Sequence, residues 1–178
     1  MSTDDVTTIL AVLATVGAVA GVAGAVAAIL PGVGPRVRAA LAGQGLALAW
    51  LVATVATAGS LWLSEGADLT PCRLCWFQRI AMYPLVVVLG IGALRRDAGA
   101  RLTAAVLAGL GLAVNLWHLA VELWPTIEGS SCDATSPCSF RWIEVWGFWT
   151  IPRMATVAFA LVLLALALDR TPKGAPAP

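Results

Sequence analysis

The chain has 178 residues, of which 60% are hydrophobic and only 12% are charged. Soluble domains contain about 45–50% apolar and about 25% charged residues, so this composition excludes an ordinary soluble domain and predicts an integral membrane protein. The formal net charge of +1 gives no reason to expect nucleic-acid binding.

Five apolar segments follow one another along the chain. Each is long enough to cross a bilayer, since about 20 helical residues span the roughly 30 Å hydrocarbon core. They cover residues 7–30, 39–64, 71–94, 102–121 and 145–168. The first is interpreted as a membrane helix and not a signal peptide, because Asp4 and Asp5 stand where a signal peptide carries basic residues. Gly17 and Gly21 within it form a G-x-x-x-G motif, which is interpreted as ordinary helix packing.

The connections between these spans differ in charge. Seven of the eleven Lys and Arg residues fall on one side of the predicted bundle: Arg36, Arg38, Arg95, Arg96, Arg101, Arg170 and Lys173. By the positive-inside rule that side is cytoplasmic. We therefore expect the N-terminus, the loop at 65–70 and the loop at 126–143 to face outward, and the C-terminus to face inward.

Two cysteines with C-x-x-C spacing, Cys72 and Cys75, stand at the mouth of the third predicted span. If this helix begins near Pro71, both cysteines and Arg79 share one face, because residues three and four apart are neighbours on a helix. The positive end of the helix dipole and the nearby guanidinium favour the thiolate, which is the reactive form of cysteine. The alternatives are a buried pair of small side chains or half of a metal site.

A second pair, Cys132 and Cys138, lies in a hydrophilic loop that is predicted on the same outer face. Four cysteines in two close pairs fit an oxidising compartment, and such pairs can exchange disulfides through a mixed intermediate. The loop pair is accessible to a water-soluble thiol protein, whereas the pair at the helix mouth can pass electrons only to something lipophilic, such as a quinone. Arg79 is expected to stabilise negative charge on a quinone oxygen or on the Cys75 thiolate.

A polar stripe of Asn115, His118 and Glu122 lies on the fourth span. Ionisable groups inside a membrane are candidates for function, so His118 is predicted to line the quinone pocket or to donate a proton as the quinol forms. Interhelical hydrogen bonding is the alternative. Arg153 is expected to snorkel to the outer headgroups, and the segment 142–149 to form a short amphipathic helix in the interface.

The pattern Pro71-Cys72-x-Leu74-Cys75-x-x-Gln78-Arg79, the second cysteine pair and the segment Gly147-Phe148-Trp149-Thr150-Ile151-Pro152 together resemble the DsbB family of membrane disulfide-forming oxidases. The resemblance implies an all-α membrane protein, with a four-helix transmembrane bundle at 39–169. It leaves residues 1–38 as one extra N-terminal transmembrane helix with its cytoplasmic turn, and 170–178 as a cytoplasmic tail. The implied location is the bacterial cell (inner) membrane.

The same resemblance implies roles for the cysteines. Cys132 and Cys138 would form the disulfide that a reduced, DsbA-like thioredoxin-fold partner attacks, with Cys132 the favoured site. Cys138 would exchange with Cys72, leaving Cys75 as the thiolate that faces a quinone, either menaquinone or ubiquinone, and Arg79 as the cation of the quinone site. Only five residues separate the loop cysteines, as in the short-loop oxidases of Gram-positive bacteria, which leaves open which loop cysteine is attacked.

Three other interpretations are compatible with parts of the sequence. The first is an enzyme of the vitamin K epoxide reductase type. In that family the quinone-facing C-x-x-C follows the loop pair, whereas in this sequence the C-x-x-C precedes the loop pair. The second is a structural zinc site formed by four cysteine thiolates. The third is a helical scaffold whose disulfides only brace the outer loops.

Overall fold

The structure is a computed structural model that describes residues 2–129, 132–133 and 135–169, apart from the side chain of Ala98. The predicted tail at 170–178, with Arg170 and Lys173, lies outside the described residues. Within them the chain is helical, and its only bridges between extended residues are isolated pairs near the second cysteine pair and before the last helix.

Six α-helices follow one another, with a short 3-10 helix at Pro125–Ile127 before the last of them. They are α1 (Thr3–Ile29), α2 (Gly34–Leu41), α3 (Gly45–Glu65), α4 (Arg73–Arg95), α5 (Ala98–Leu123) and α6 (Ile151–Leu168). In the described part of the chain, five of these helices are long and apolar enough to cross a membrane, namely α1, α3, α4, α5 and α6. The prediction of an all-α protein with five spans is confirmed.

The predictions for two segments are wrong. The segment 39–64 is not one helix, because the chain breaks after α2 and Gly43 adopts a left-handed φ of +77° that ends the helical path. The segment 142–149 forms no amphipathic helix, and the last span begins only at Ile151. Trp146 and Gly147 have φ values of +55° and +67°, which a right-handed helix does not accommodate.

The core of the bundle lies between α3, α4, α5 and α6 and consists of small and aliphatic side chains. Fully or almost fully buried residues from all four helices meet there: Ala49, Ala53, Leu85, Leu89, Ala104, Ala108, Phe159 and Val162. Alanines and Gly111, which faces the Phe159 ring, allow the backbones to approach closely. Van der Waals packing of small residues is the usual basis of helix association in lipid.

A buried carboxylate joins three helices at the end of the bundle opposite the cysteines. Asp169, just after α6, accepts hydrogen bonds from the backbone N–H groups of Gly43 (2.6 Å) and Gly45 (3.1 Å) at the start of α3. It also pairs with Arg101 of α5 at 2.8 Å. A side chain at Gly45 would collide with Asp169, so glycine is required at this position.

The first helix packs against the outside of this bundle. A Cβ atom added at Gly17 or Gly21 would lie 2.8 or 2.7 Å from the side chain of Leu161 on α6, so these glycines are the points of close approach. Similarly, Gly59 of α3 makes room for Leu10 of α1. The G-x-x-x-G motif therefore packs α1 onto α6, in agreement with the packing interpretation.

Candidate functional site

The C-x-x-C pair lies at the very start of α4. Cys72 is the N-cap residue, with an extended backbone (φ −66°, ψ 167°), and its Sγ accepts a hydrogen bond from the Cys75 N–H at 3.3 Å. The helix thus begins two residues later than the sequence predicts, but the two sulfur atoms still meet, 2.7 Å apart, as unbonded thiols. Cys72 is only 2% exposed, whereas Cys75 is partly exposed.

His118 of α5 joins the two cysteine pairs. Its Nε2 lies 3.8 Å from Cys72 Sγ and 3.0 Å from the carbonyl oxygen of Cys138, and its Nδ1 lies 2.8 Å from the amide nitrogen of Gln78. Because the amide nitrogen is a donor and the carbonyl an acceptor, the imidazole accepts at Nδ1 and donates at Nε2. The Nε2 N–H therefore faces both cysteine segments.

Hydrogen bonding to Cys72, which precedes the membrane-spanning helix, changes its acidity. Contacts from Cys75 and then from His118 stabilise its thiolate against the cost of burial and lower the pKa of Cys72 to about 5. These contacts favour the thiolate at Cys72 in the reduced pair. The family resemblance implies a quinone-facing thiolate at Cys75, and that role stays a prediction.

The second pair is a disulfide. Cys132 and Cys138 are bonded, with their Cα atoms 5.9 Å apart. Cys138 is 2% exposed and packs in one apolar cluster with Cys72 and Val121, while Cys132 lies at the edge of that cluster and is less deeply buried. Both predicted pairs are therefore at the same end of the bundle and in the same cluster.

An acidic residue that the sequence analysis missed holds this loop. Glu128 accepts a hydrogen bond from the backbone N–H of Cys138 at 2.6 Å and another from the Ser139 hydroxyl. Its carboxylate lies within 4.8 Å of the sulfur atoms of both Cys132 and Cys138. Its only sequence signal is its position shortly before the cysteine pair, which is weak because acidic residues are common in loops.

Glu122 connects the same loop to α5 and α6. It is buried and accepts a hydrogen bond from Thr150 at 2.7 Å, and it pairs with Arg153 at 3.3 Å and with Arg141 at 3.4 Å. The expectation that Arg153 snorkels to the headgroups is wrong, because a buried carboxylate requires a charged partner and Arg153 supplies one. Asn115 fits the interhelical alternative, since its amide donates to the carbonyl of Pro152 at 3.0 Å.

Cys75 borders a cavity of about 380 Å³ that lies between α1, α3, α4 and α6. Its polar groups gather near Cys75 and include Gln78 and Arg79, whereas the remaining walls are mostly aliphatic. The Arg79 Nε donates to the Ser60 hydroxyl at 3.0 Å, and its Nη2 donates to the Ser60 carbonyl at 2.9 Å. The guanidinium is therefore fixed at the polar end of an otherwise apolar space.

The two residues predicted to bind the cofactor, Arg79 and His118, therefore lie at different sites. Arg79 lines the large cavity, but His118 is not among the described residues that line it. His118 instead lines a separate small crevice, together with Cys72, Cys75 and Glu122. Periodicity along α5 identifies the polar stripe but not the neighbouring helix that each of its side chains faces.

The alternative of a four-cysteine zinc site does not fit this arrangement. Cys132 and Cys138 are bonded to each other, so their sulfur atoms are not thiolate ligands. Potential metal-ligand groups in the described residues form two separate sets, Cys72 with Cys75 and His118, and Glu128 with the loop cysteines.

A helical membrane protein in which a C-x-x-C pair packs against a loop disulfide has the cysteine arrangement of the thiol–disulfide exchange proteins. A family model described as "Disulfide bond formation protein DsbB" matches residues 42–169. The chain belongs to the DsbB family, which confirms the resemblance found in the sequence.

Several curated relatives resemble the chain over most of their length. "Disulfide bond formation protein C" of Bacillus subtilis (strain 168) is 38% identical over 120 residues, which cover 67% of this chain and 87% of the relative. "Probable disulfide formation protein C 2" of Bacillus anthracis is 37% identical, with 70% and 89% covered. "Probable disulfide formation protein" of Deinococcus radiodurans is 43% identical, with 70% and 88% covered. No solved structure matches the chain significantly.

Proposed function

We propose that the protein reoxidises a soluble, extracytoplasmic thioredoxin-fold dithiol protein, similar to DsbA, and passes the electrons through its two cysteine pairs to a membrane quinone. Such an enzyme supports disulfide bond formation, in line with the names of its relatives. The observation that carries the proposal is the position of Cys72 and Cys75. Cys72 meets the loop disulfide across His118, and Cys75 borders the large apolar cavity.

The first step takes place at the loop disulfide. A thiolate of the partner attacks Cys132, which is less deeply buried than Cys138, and Cys138 leaves as a thiolate. The second partner thiol then resolves the mixed disulfide. The partner's dithiol becomes a disulfide, and Cys132 and Cys138 hold its two electrons and two protons as thiols.

The second step passes the electrons inward. With the C-x-x-C pair oxidised, the Cys138 thiolate attacks Cys72, and Cys75 leaves. Cys132 then attacks Cys138, which restores the loop disulfide and releases Cys72 as a thiolate. The pairing found here, with a loop disulfide and two thiols at Cys72 and Cys75, corresponds to the product of this step. The N–H of His118 is well situated to stabilise the Cys72 thiolate.

The third step reoxidises the C-x-x-C pair. A quinone, menaquinone or ubiquinone, supplies an acceptor for two electrons and two protons, and the cavity fits one because it combines apolar walls with polar groups near the sulfur. Cys75 gives up its electrons at this wall of the cavity, and the Cys72–Cys75 disulfide forms again. Arg79, fixed by Ser60, stabilises negative charge at the same end.

The orientation in the membrane follows from the basic residues. The connections with Arg36, Arg38, Arg95, Arg96 and Arg101 face the cytoplasm by the positive-inside rule. The cysteine end of the bundle then faces outward in the bacterial cell membrane, with the N-terminus outside and the C-terminus inside. Residues 39–169 form the catalytic bundle in this proposal, and residues 1–38 form an added segment.

The test uses the purified full-length protein in detergent with a reduced thioredoxin-fold dithiol protein and a quinone. Wild type is expected to couple oxidation of the dithiol to reduction of the quinone, and Cys75→Ser and Cys132→Ser are each expected to abolish turnover. Absence of quinone reduction by wild type with both ubiquinone and menaquinone headgroups would overturn the proposal. If the disulfides only braced the outer loops, Cys75→Ser would leave oxidation of the partner dithiol intact.

A further inference from the structure

The first helix contributes a wall to the large cavity although it lies outside the family match, which begins at residue 42. Leu10, Leu13, Val16 and Gly17 of α1 line the cavity opposite side chains of α3 and α6. The four helices of the family-matched region therefore do not enclose this space by themselves. Whatever occupies the cavity contacts α1 as well as the redox end near Cys75.

The polarity of the cavity changes along its length. Gln78, Arg79 and Ser60 gather near Cys75, whereas the α1 side of the cavity is aliphatic. Between α1 and α3 the aliphatic part opens sideways, since Val16 is 60% exposed and Leu51 is 54% exposed although both line the cavity. In a membrane-spanning helix, this side opening faces lipid. The shape fits a ligand with a polar head at Cys75 and a long apolar tail that leaves toward the bilayer.

The position of α1 depends on a close contact with Leu161 of α6, a residue that lines the cavity. Gly21 is not among the lining residues, and a Cβ atom there would lie 2.7 Å from Leu161 of α6. A larger side chain at this position must therefore displace the end of the Leu161 side chain, α1 or both, and either shift changes the wall that α1 and α6 give the cavity. Gly24, one turn further along the same helix, has no neighbouring atom within 4 Å of an added Cβ and tolerates a side chain.

We propose that α1 forms the tail-binding wall of the acceptor site, so that this added helix increases the affinity for quinones that carry an isoprenoid or alkyl tail. The inference rests on the proposed function, because it assigns a subsite to the same acceptor. None of the proposed reacting groups belongs to α1, since Cys72 caps α4, Cys75 and Arg79 lie within α4, and the other two cysteines lie in the loop before α6.

The experiment compares full-length wild type, Gly21→Leu and the matched control Gly24→Leu in detergent. Dithiothreitol is the electron donor, and the acceptors are one benzoquinone headgroup without a tail and the same headgroup with a decyl tail. Gly21→Leu is expected to raise the KM for the decyl quinone roughly tenfold, the effect of losing contact with about two methylene groups. The KM for the tailless quinone is expected to remain unchanged, and Gly24→Leu is expected to match wild type with both acceptors.

A photoreactive decyl quinone provides an independent measurement. Irradiation of wild type is expected to label the peptide that contains Leu13 and Val16, and Gly21→Leu is expected to reduce this labelling. An equal change in KM for both quinones, or no change, together with absence of label in α1, would overturn the inference while leaving the proposed function intact. Absence of reduction of both quinones by wild type would instead overturn the proposed function.

Discussion

The Nε2 atom of His118 lies 3.8 Å from the sulfur of Cys72. The same nitrogen lies 3.0 Å from the carbonyl oxygen of Cys138, so a single imidazole contacts one member of each cysteine pair. The Nε2 N–H favours negative charge on Cys72, and its hydrogen bond to the Cys138 carbonyl holds the loop pair next to Cys72.

Replacement of His118 by Ala should make the Cys72 thiol less acidic. A hydrogen bond to a charged group contributes about 1.5–3 kcal/mol, so its loss should raise the pKa of Cys72 by about 1 to 2. The measurement is the thiolate absorbance near 240 nm during a pH titration, in a Cys132→Ser/Cys138→Ser background that leaves only the C-x-x-C pair. Leu116→Ala, an exposed position on the same helix, is the control. Identical titration curves for His118→Ala and this control would contradict the assigned contact.

The stability of the reduced protein should depend on pH in a defined direction. The pKa of Cys72 is about 5 in the folded protein, compared with 9.0 for an unperturbed thiol, so the unfolded chain holds one more proton between these values. Stability therefore rises with pH across this window, is complete above the unfolded value, and is lost as pH falls through the folded value.

The difference in Tm between the reduced form and Cys72→Ser should accordingly widen from pH 5 to pH 8.5. Melting curves in detergent with excess reductant measure it. Parallel pH profiles for the two proteins would show that Cys72 is not a stabilised thiolate. The oxidised C-x-x-C form serves as an internal control, because a disulfide sulfur does not titrate.

Removal of the Arg79 guanidinium should slow electron delivery to the quinone without affecting exchange between the cysteine pairs. Loss of one charge-stabilising donor commonly lowers the rate by about 100- to 1,000-fold, and a similar fall in kcat/KM for the quinone is expected for Arg79→Ala. Arg79→Lys should be intermediate, since an ammonium cannot reproduce the two-point contact with Ser60.

Rapid-mixing measurements separate the two half-reactions for these variants. The rate at which the partner dithiol reduces the loop disulfide should equal that of wild type, because Arg79 lies on the cavity side of Cys75. Arg95→Ala, at the far end of the same helix and exposed, is the matched control. A comparable loss in both half-reactions would assign Arg79 a structural role only.

Glu128 should act as a positioning residue for the loop disulfide. Glu128→Gln retains an acceptor for the Cys138 N–H, whereas Glu128→Ala leaves this group without a partner, at a cost of about 1–3 kcal/mol. Glu128→Ala is therefore expected to lower Tm by several degrees and to accelerate reduction of the Cys132–Cys138 bond by dithiothreitol, with Glu128→Gln close to wild type.

The comparison between Glu128→Ala and Glu128→Gln separates the effect of the hydrogen bond from the effect of the negative charge. If Glu128→Gln changes the reduction rate as much as Glu128→Ala does, the negative charge near the sulfur atoms matters more than the hydrogen bond. Glu144→Ala, an exposed acid in the same connection, controls for a general effect of charge on the loop.

The sequence by itself determined the class of the protein. Apolar runs of membrane-spanning length predict helices, because lipid leaves the backbone no hydrogen-bond partner other than itself. The alternation of five spans also brings Cys72, Cys75, Cys132 and Cys138 to one end, whatever the packing. These features depend only on composition and order along the chain.

Only the tertiary structure decided which side chains meet. His118 and Arg79 both carry sequence signals, yet the rotation of α4 and α5 about their axes puts one beside Cys72 and the other at the cavity on the far side of Cys75. Arg153 turns inward because Glu122 on a neighbouring helix is buried. Such partners depend on the angles and distances between helices, which are set by packing over the whole bundle and leave no periodic signal along the chain.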